Sequence, residues 1–178
     1  MNFSTYEQSA AEEIRQLFST AFSDSEGPDE GLVIGNLAYD LMKTTDSQDI
    51  YGFVATENER IVGSIFFTRM TFESNANAFI LSPVAVHTSC QGKGVGQKLI
   101  KFGLKDLQQD GVKLVFTYGD PKFYSRVGFR CITEETARAP FRLSQPEGWL
   151  CQSLAGDDIE PVAGNSRCVD ALNKPEYW

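Results

Sequence analysis

The chain has 178 residues, 42% of them hydrophobic, enough to bury a sizeable core without disulfide or metal staples, and this length predicts one domain over residues 1–178. Its formal net charge of −8 speaks against nonspecific binding to nucleic acid or anionic membranes, which needs clustered basic residues, and modestly favours cationic substrates. Cys90, Cys131, Cys151 and Cys168 are scattered without a C-x-x-C pair and His87 is the single histidine, so neither a zinc site nor a His-based hydrolytic triad is expected.

Residues 3–7 read as a first strand. Ser9-Ala10-Ala11-Glu12 has the spacing of a capping box, and Ile14, Leu17, Phe18, Ala21 and Phe22 then recur at i, i+3, i+4, i+7 and i+8, the stripe of a helix buried on one side. Residues 24–30, acidic and rich in turn formers, read as a loop. Residues 32–42 form a second predicted helix with Val33, Leu37 and Leu41 along one side. Two β-branched and aromatic runs, residues 50–56 and 61–69, flank the polar Glu57-Asn58-Glu59-Arg60 and predict an antiparallel hairpin. Residues 79–86 continue the sheet, with Pro83 demanding an interruption in the ladder because it has no N–H to donate. A long helix is expected over residues 94–110, burying Val95, Leu99, Ile100, Phe102, Leu104 and Leu107 and stopped by Gly111. A central strand follows at 112–118. Asp120 and Pro121 read as the cap and first residue of a short helix, and residues 129–133 as another strand. A core thus spans about 1–135, followed by C-terminal strands and a tail over about 136–178, where one or two edge strands are expected beyond Ala139.

The run Leu81 to Gly96 carries an apolar strand into a glycine-rich turn that opens an amphipathic helix. Gly92, Gly94 and Gly96 remove side chains where backbone N–H groups must converge, the helix start supplies unpaired, positively polarised amides, and Lys93 adds a mobile positive charge: the makings of a phosphate site. Two familiar phosphate loops do not fit. A nucleoside-triphosphate loop would need glycine at position 87 and Ser or Thr at 94, where His87 and Gly94 stand; a dinucleotide loop read from Gly92 would need a small residue at 97, where Gln97 stands.

Gln91, Gly94 and Gly96 do match Q/R-x-x-G-x-G/A, and the chain thereby resembles the GCN5-related N-acetyltransferases, the GNAT superfamily, in the style of its small bacterial single-domain members. A second stretch, Gly119-Asp120-Pro121-Lys122-Phe123-Tyr124-Ser125-Arg126-Val127-Gly128-Phe129, is similar to another family signature, a short helix with a tyrosine ahead of a Gly-Phe pair. The resemblance implies an α/β fold (α+β in some schemes), with a mixed, mostly antiparallel, splayed sheet flanked by helices. It implies acetyl-CoA as cosubstrate and no metal. It places the pantetheine arm against Val84, Ala85 and Val86 and the diphosphate on Gln91, Gly92, Lys93, Gly94, Val95 and Gly96.

Tyr124 is the expected general acid, because a phenol with pKa about 10 stays protonated at neutral pH and can donate to a departing thiolate. A packed aromatic with its hydroxyl on the backbone is the competing reading. No general base stands out; Glu73 and Ser82 are candidates, with surface polarity as the alternative. His87 reads as solvent-facing or cofactor-adjacent, and Cys90 as a small space-filler.

The expected function is transfer of an acetyl group from acetyl-CoA to a primary amine of a small molecule, with a cationic acceptor favoured, by direct transfer in a ternary complex. Alternatives are a longer acyl group, acetylation of a protein or peptide amine, and an acyl-CoA-binding regulatory module without turnover. With no basic-apolar leader and no apolar run near the roughly 20 residues that span a bilayer, a cytoplasmic location without nucleic-acid or membrane partners is expected, as monomer or homodimer.

Overall fold

A computed structural model describes residues 1–156 and 158–178. Among the described residues, eight strands hydrogen-bond in the order β1-β2-β3-β4-β5-β7-β6, with β8 on β3. They are β1 (Asn2–Thr5), β2 (Ile50–Glu57), β3 (Arg60–Phe72), β4 (Ala78–Val86), β5 (Leu114–Tyr118), β6 (Arg130–Cys131), β7 (Trp149–Ser153) and β8 (Ser166–Arg167). The helices are α1 (Ala11–Glu26), α2 (Pro28–Thr44), α3 (Val95–Gln109) and the single turn α4 (Pro121–Tyr124). The β4–β5 pairing is parallel, while β1–β2, β5–β7, β6–β7 and β3–β8 are antiparallel, which gives the mixed sheet expected. The chain divides into two compact units, Met1–Phe66 with Pro83–Gly103, and Phe67–Ser82 with Leu104–Trp178.

In the first unit the hairpin forms as expected, with Asn58 and Glu59 both left-handed (φ 50° and 64°), the twist that matches two antiparallel strands. The α1 stripe Ile14, Leu17, Phe18 and Ala21 is buried, and Phe18 stacks on Phe66 of β3 at 6.0 Å. On the other face of β3, an odd number of residues away, the Cβ position of Gly63 lies 3.4 Å from Leu99 and 3.5 Å from Val95 of α3. The strand is thus covered by α1 on one side and α3 on the other. Phe102 differs from expectation. It is 38% exposed, sitting at the rim of the sheet against Phe3 and Phe53.

The capping box does not form. A 3-10 turn over Gln8–Ala10 delays the helix so that Ala10 is its cap, which moves Glu12 one place too near the start to reach back to Ser9. Ser9 Oγ instead bonds Glu7 Oε2 at 3.4 Å, and Glu13 Oε1 accepts from the Ile61 N–H at 2.9 Å. The acidic loop over residues 24–30 is not a loop either. Only Gly27 (φ 102°) separates the helices, Pro28 supplies the fixed φ of a first helical residue, and Asp29 and Glu30 fall on the positive end of α2. The two helices then pack closely, because Gly31 and Gly35 of α2 face Ser19 and Ser23 of α1, where any Cβ would collide. That choice of face turns Val33, two positions from each glycine, outward. It is 36% exposed, contrary to the expected buried row, while Ile34, Leu37, Ala38 and Leu41 are buried.

In the second unit the β4–β5 ladder runs from Ala78↔Leu114 to Leu81↔Thr117 and ends two residues before Pro83, the interruption that the proline requires. Gly111 (φ 80°) ends the turn after α3. The C-terminal strands differ from expectation in kind: β7 is no edge but lies between β5 and β6, with Trp149, Leu150 and Cys151 fully buried. Trp149 stacks on Phe116 at 5.2 Å and its indole N–H donates to Ala137 O at 2.9 Å. A buried strand bonded on both edges cannot carry the polar alternation of an edge, and its apolar pieces therefore looked weakly patterned.

Gly31→Ala should lower stability by about 1–3 kcal/mol, since its methyl meets the Ser19 backbone carbonyl and one of the helices must shift. A chemical-denaturation midpoint that falls with an unchanged slope checks this.

Candidate functional site

The expected site residues fall in both units. In the first unit, His87 N–H donates to Val62 O at 2.8 Å, so alternation along the strand sends the Ala85 N–H toward β3 and those of Val84 and Val86 to the opposite edge. Ala85 is buried, and Val84 and Val86 are half-buried. A 3-10 turn, Thr88–Cys90, follows: Cys90 N–H donates to His87 O at 2.7 Å, and the Ser89 N–H donates to His87 Nδ1 at 3.3 Å. Gln91 folds back so that its Nε2 donates to Val86 O at 3.0 Å, and Lys93 Nζ donates to Ser89 O at 2.9 Å while its stem stays exposed.

Gly92 (φ 73°) and Gly94 (φ 77°) both take the left-handed conformation, and nothing lies within 4 Å of where their Cβ atoms would be. The loop therefore curls around open space. Lys98 N–H closes the first turn of α3 on Gly94 O at 3.1 Å, which leaves the amides of Val95, Gly96 and Gln97 without acceptors inside the helix. No acidic side chain occupies that turn. The result is a cradle of backbone N–H groups at the positive end of a 15-residue helix, suited to an anion such as a diphosphate. One further contact was not legible in the sequence: Thr88 Oγ1 donates to Asp24 Oδ2 at 2.5 Å, strapping the loop to the last turn of α1.

In the second unit, Asp120 caps α4 by accepting from the Lys122 N–H at 2.9 Å, and Pro121 takes the first helical position, as expected. Tyr124 ends that turn. Its ring lies against Gly119, whose Cβ position is 2.8 Å from a ring carbon, and meets Phe123 and Phe129 edge-on at 5.1 and 5.8 Å. Thr117 is fully buried and its Oγ1 donates to Leu81 O at 3.0 Å. Burial pushes the Tyr124 phenol above its ordinary value of 10; the Thr117 hydrogen bond pulls the other way, and the nearby Asp120 carboxylate adds to the rise. A phenol so placed keeps its proton throughout the neutral range.

Sequence reasoning passed over Thr117, although a hydroxyl amid Leu114, Val115 and Phe116 signals a buried polar group in need of partners. Gly119 stood within a quoted motif without a role. The base candidates fare differently: Glu73 Oε1 is engaged at 3.3 Å by both the backbone N–H and the side-chain amide of Asn165, and Ser82 is half-buried on β4. His87 is exposed with Nδ1 2.9 Å from Ser89 Oγ, and Cys90 is buried, as expected for a small filler. Burial pushes the Cys151 thiol up to about 12, which makes it inert. Among the described residues no group of His, Cys, Asp or Glu could hold a metal ion, and no helix is long and apolar enough to cross a membrane.

A family model described as an acetyltransferase (GNAT) domain matches residues 2–132, a range that contains both the anion cradle and Tyr124. The chain belongs to the GNAT acetyltransferase family. It is 30% identical over 174 residues to the uncharacterized N-acetyltransferase YjhQ of Escherichia coli (strain K12), covering 94% of this chain and 92% of that protein. Among solved structures it is similar to the GNAT family N-acetyltransferase YhbS from Escherichia coli in complex with CoA, with 24% identity, a TM-score of 0.78 and coverage of 97% of this chain and 92% of that one. A GNAT family acetyltransferase from Brucella melitensis in complex with acetyl-CoA gives 23% identity, a TM-score of 0.75 and coverage of 96% and 97%. Both share its fold.

For this GNAT protein, Gly119→Ala should displace the Tyr124 ring, because the added methyl and the ring cannot share 2.8 Å. Ultraviolet difference titration of wild type against Tyr124→Phe should place the Tyr124 midpoint above pH 10; a midpoint at or below 10 contradicts the burial argument.

Proposed function

We propose that this protein is an N-acetyltransferase that moves the acetyl group of acetyl-CoA to a primary amine of a small molecule by direct transfer within a ternary complex. The observation that carries the proposal is the pair of left-handed glycines, 92 and 94, opening α3 around unfilled space. Relatives of the same fold crystallised with CoA and with acetyl-CoA support the choice of cosubstrate.

Bound there, acetyl-CoA would supply the activated acyl group; the rest of the chemistry belongs to the chain. The amides of Val95, Gly96 and Gln97, with Gly92 and Gly94 keeping the loop clear, hold the diphosphate, and Lys93 adds its charge. Gln91 braces the loop against Val86 O. The N–H groups of Val84 and Val86, on the edge of β4 away from β3, would stabilise negative charge on the thioester carbonyl oxygen as the amine attacks. When the carbon–sulfur bond breaks, Tyr124 gives its phenolic proton to the thiolate and is reprotonated from solvent. Water takes the proton of the attacking ammonium, since Glu73 is committed to Asn165. The whole chain works as one such domain, in the cytoplasm.

The acceptor's charge is read by what remains of the acidic segment. Asp24 is tied to Thr88, so Glu26, Asp29 and Glu30, at the facing ends of α1 and α2, are the residues that would attract a cationic amine. Reversing those three should raise the apparent KM for a cationic acceptor several-fold and leave that for acetyl-CoA unchanged; an unchanged acceptor KM removes the segment from recognition.

Thiol release from acetyl-CoA across polyamines, amino acids, aminoglycosides and N-terminal peptides tests the activity. We expect turnover with a small amine and a fall in kcat of about 100-fold or more in Tyr124→Phe. Binding of CoA without thiol release from any of these would instead identify an acyl-CoA-binding module, and turnover with peptides alone would identify a peptide acetyltransferase.

A further inference from the structure

On the reading of residues 91–96 as the CoA diphosphate site, we propose that Asp24 is a positioning residue for cosubstrate binding: an acidic side chain that strengthens the hold on an anion, because it fixes Thr88 and through it the start of that loop.

Local electrostatics would keep an acid away from position 24. Asp24 lies in the last turn of α1, where the helix dipole is already negative and no basic residue offsets it. Among the described residues no cation pairs with its carboxylate. Its partner is Thr88, 64 positions away in sequence, whose Oγ1 donates to Asp24 Oδ2 at 2.5 Å in a charge-assisted hydrogen bond. A charge that its own helix disfavours and one long-range bond satisfies marks the residue as serving the loop it reaches.

Thr88 passes the restraint on. Its backbone carbonyl accepts from the Gln91 N–H at 3.3 Å, and Gln91 opens the loop. Among the described residues, the other side-chain bonds of residues 87–93 stay within residues 86–93: Gln91 Nε2 to Val86 O, Lys93 Nζ to Ser89 O, and Ser89 to His87 Nδ1 and Cys90. Those bonds shape the segment without tying it to another element. Gly92 and Gly94 have nothing within 4 Å of their Cβ positions, so no packing holds them, and glycine has more backbone freedom to lose than any other residue. The converging amides are therefore ordered ahead of binding only as far as their anchors order them. Downstream the anchor is the buried Val95; upstream the anchors are the His87 N–H on Val62 O at 2.8 Å, the buried Cys90, and Thr88 on α1. Without the Thr88 anchor, part of that ordering is left to the moment CoA binds, and affinity falls accordingly.

Charge and positioning predict opposite signs. An Asp24 that acted on the diphosphate through its charge alone would repel it, and losing the carboxylate would tighten binding; an anchoring Asp24 weakens binding when lost. Calorimetric titration of CoA into Asp24→Ala should show affinity lowered about fivefold. Asp24→Asn keeps an oxygen to accept the Thr88 proton and should bind CoA close to wild-type strength. Thr88→Val, which changes no charge, should match Asp24→Ala, Thr88→Ser should restore affinity, and the double variant should lose no more than either single one. With an amine that supports thiol release, the KM for acetyl-CoA should rise by the same factor in Asp24→Ala while kcat is unchanged.

Wild-type or tighter CoA affinity in Asp24→Ala, wild-type affinity in Thr88→Val, or losses that add in the double variant overturn the proposal and leave the cradle standing. A strap that is merely structural gives the first two of these results together with a lowered denaturation midpoint. Should Thr88→Val not fold, Thr88→Ala takes its place with the same sign. Failure of wild type itself to bind CoA refutes the cradle, and the anchor with it.

Discussion

The chain must turn from β4 into α3 without covering the amides at the start of that helix, and only glycine can make the turn. At Gly92 and Gly94 the backbone is left-handed, a conformation that costs an L side chain about 1 kcal/mol or more, and neither position is crowded, so sterics with neighbours do not explain the glycines. The conformation itself does. It leaves three first-turn amides facing open space at the positive end of α3, and every functional reading of this protein begins from those amides.

The remainder of the first unit supports that turn. Val62 O fixes the end of β4 through His87, Gln91 and Lys93 bond back onto Val86 and Ser89, and Asp24 fastens Thr88 to α1. α1 is itself held by close contact with α2 at Gly31 and Gly35. The second unit achieves a comparable rigidity by different means, pressing a tyrosine ring between a glycine and two phenylalanines. In each unit small residues set the position of a group that can do chemistry, and buried hydrogen bonds hold it there.

What was legible in the sequence was what local chemistry decides. Glycine spacing at 92, 94 and 96 announces a phosphate turn wherever it lies, the hairpin follows from two apolar runs around a polar tetrad, and Asp120-Pro121 starts a helix from its own atoms. The misreadings were settled by tertiary contact. Ser9 and Glu12 have capping-box spacing, but Glu13 is drawn to Ile61 and the helix begins late. Residues 24–30 look like a loop until Gly27 alone is seen to make the reversal. Val33 shares its helical row with Leu37, yet the glycines that admit α1 choose another face. The placement of β7 between β5 and β6, and the meeting of Thr117 with Leu81, join residues far apart in the chain, and single-sequence periodicity carries no trace of such pairings.

The proposed chemistry depends on the anion cradle, and titration calorimetry with CoA probes that cradle without needing an acceptor. Wild type should bind CoA at one site per chain, with affinity falling as salt is raised. Gly94→Val, which places a branched side chain where the backbone is left-handed and the cradle open, should abolish the heat while the fold persists. Equal CoA affinity in the two proteins, or no binding by wild type, would contradict the account.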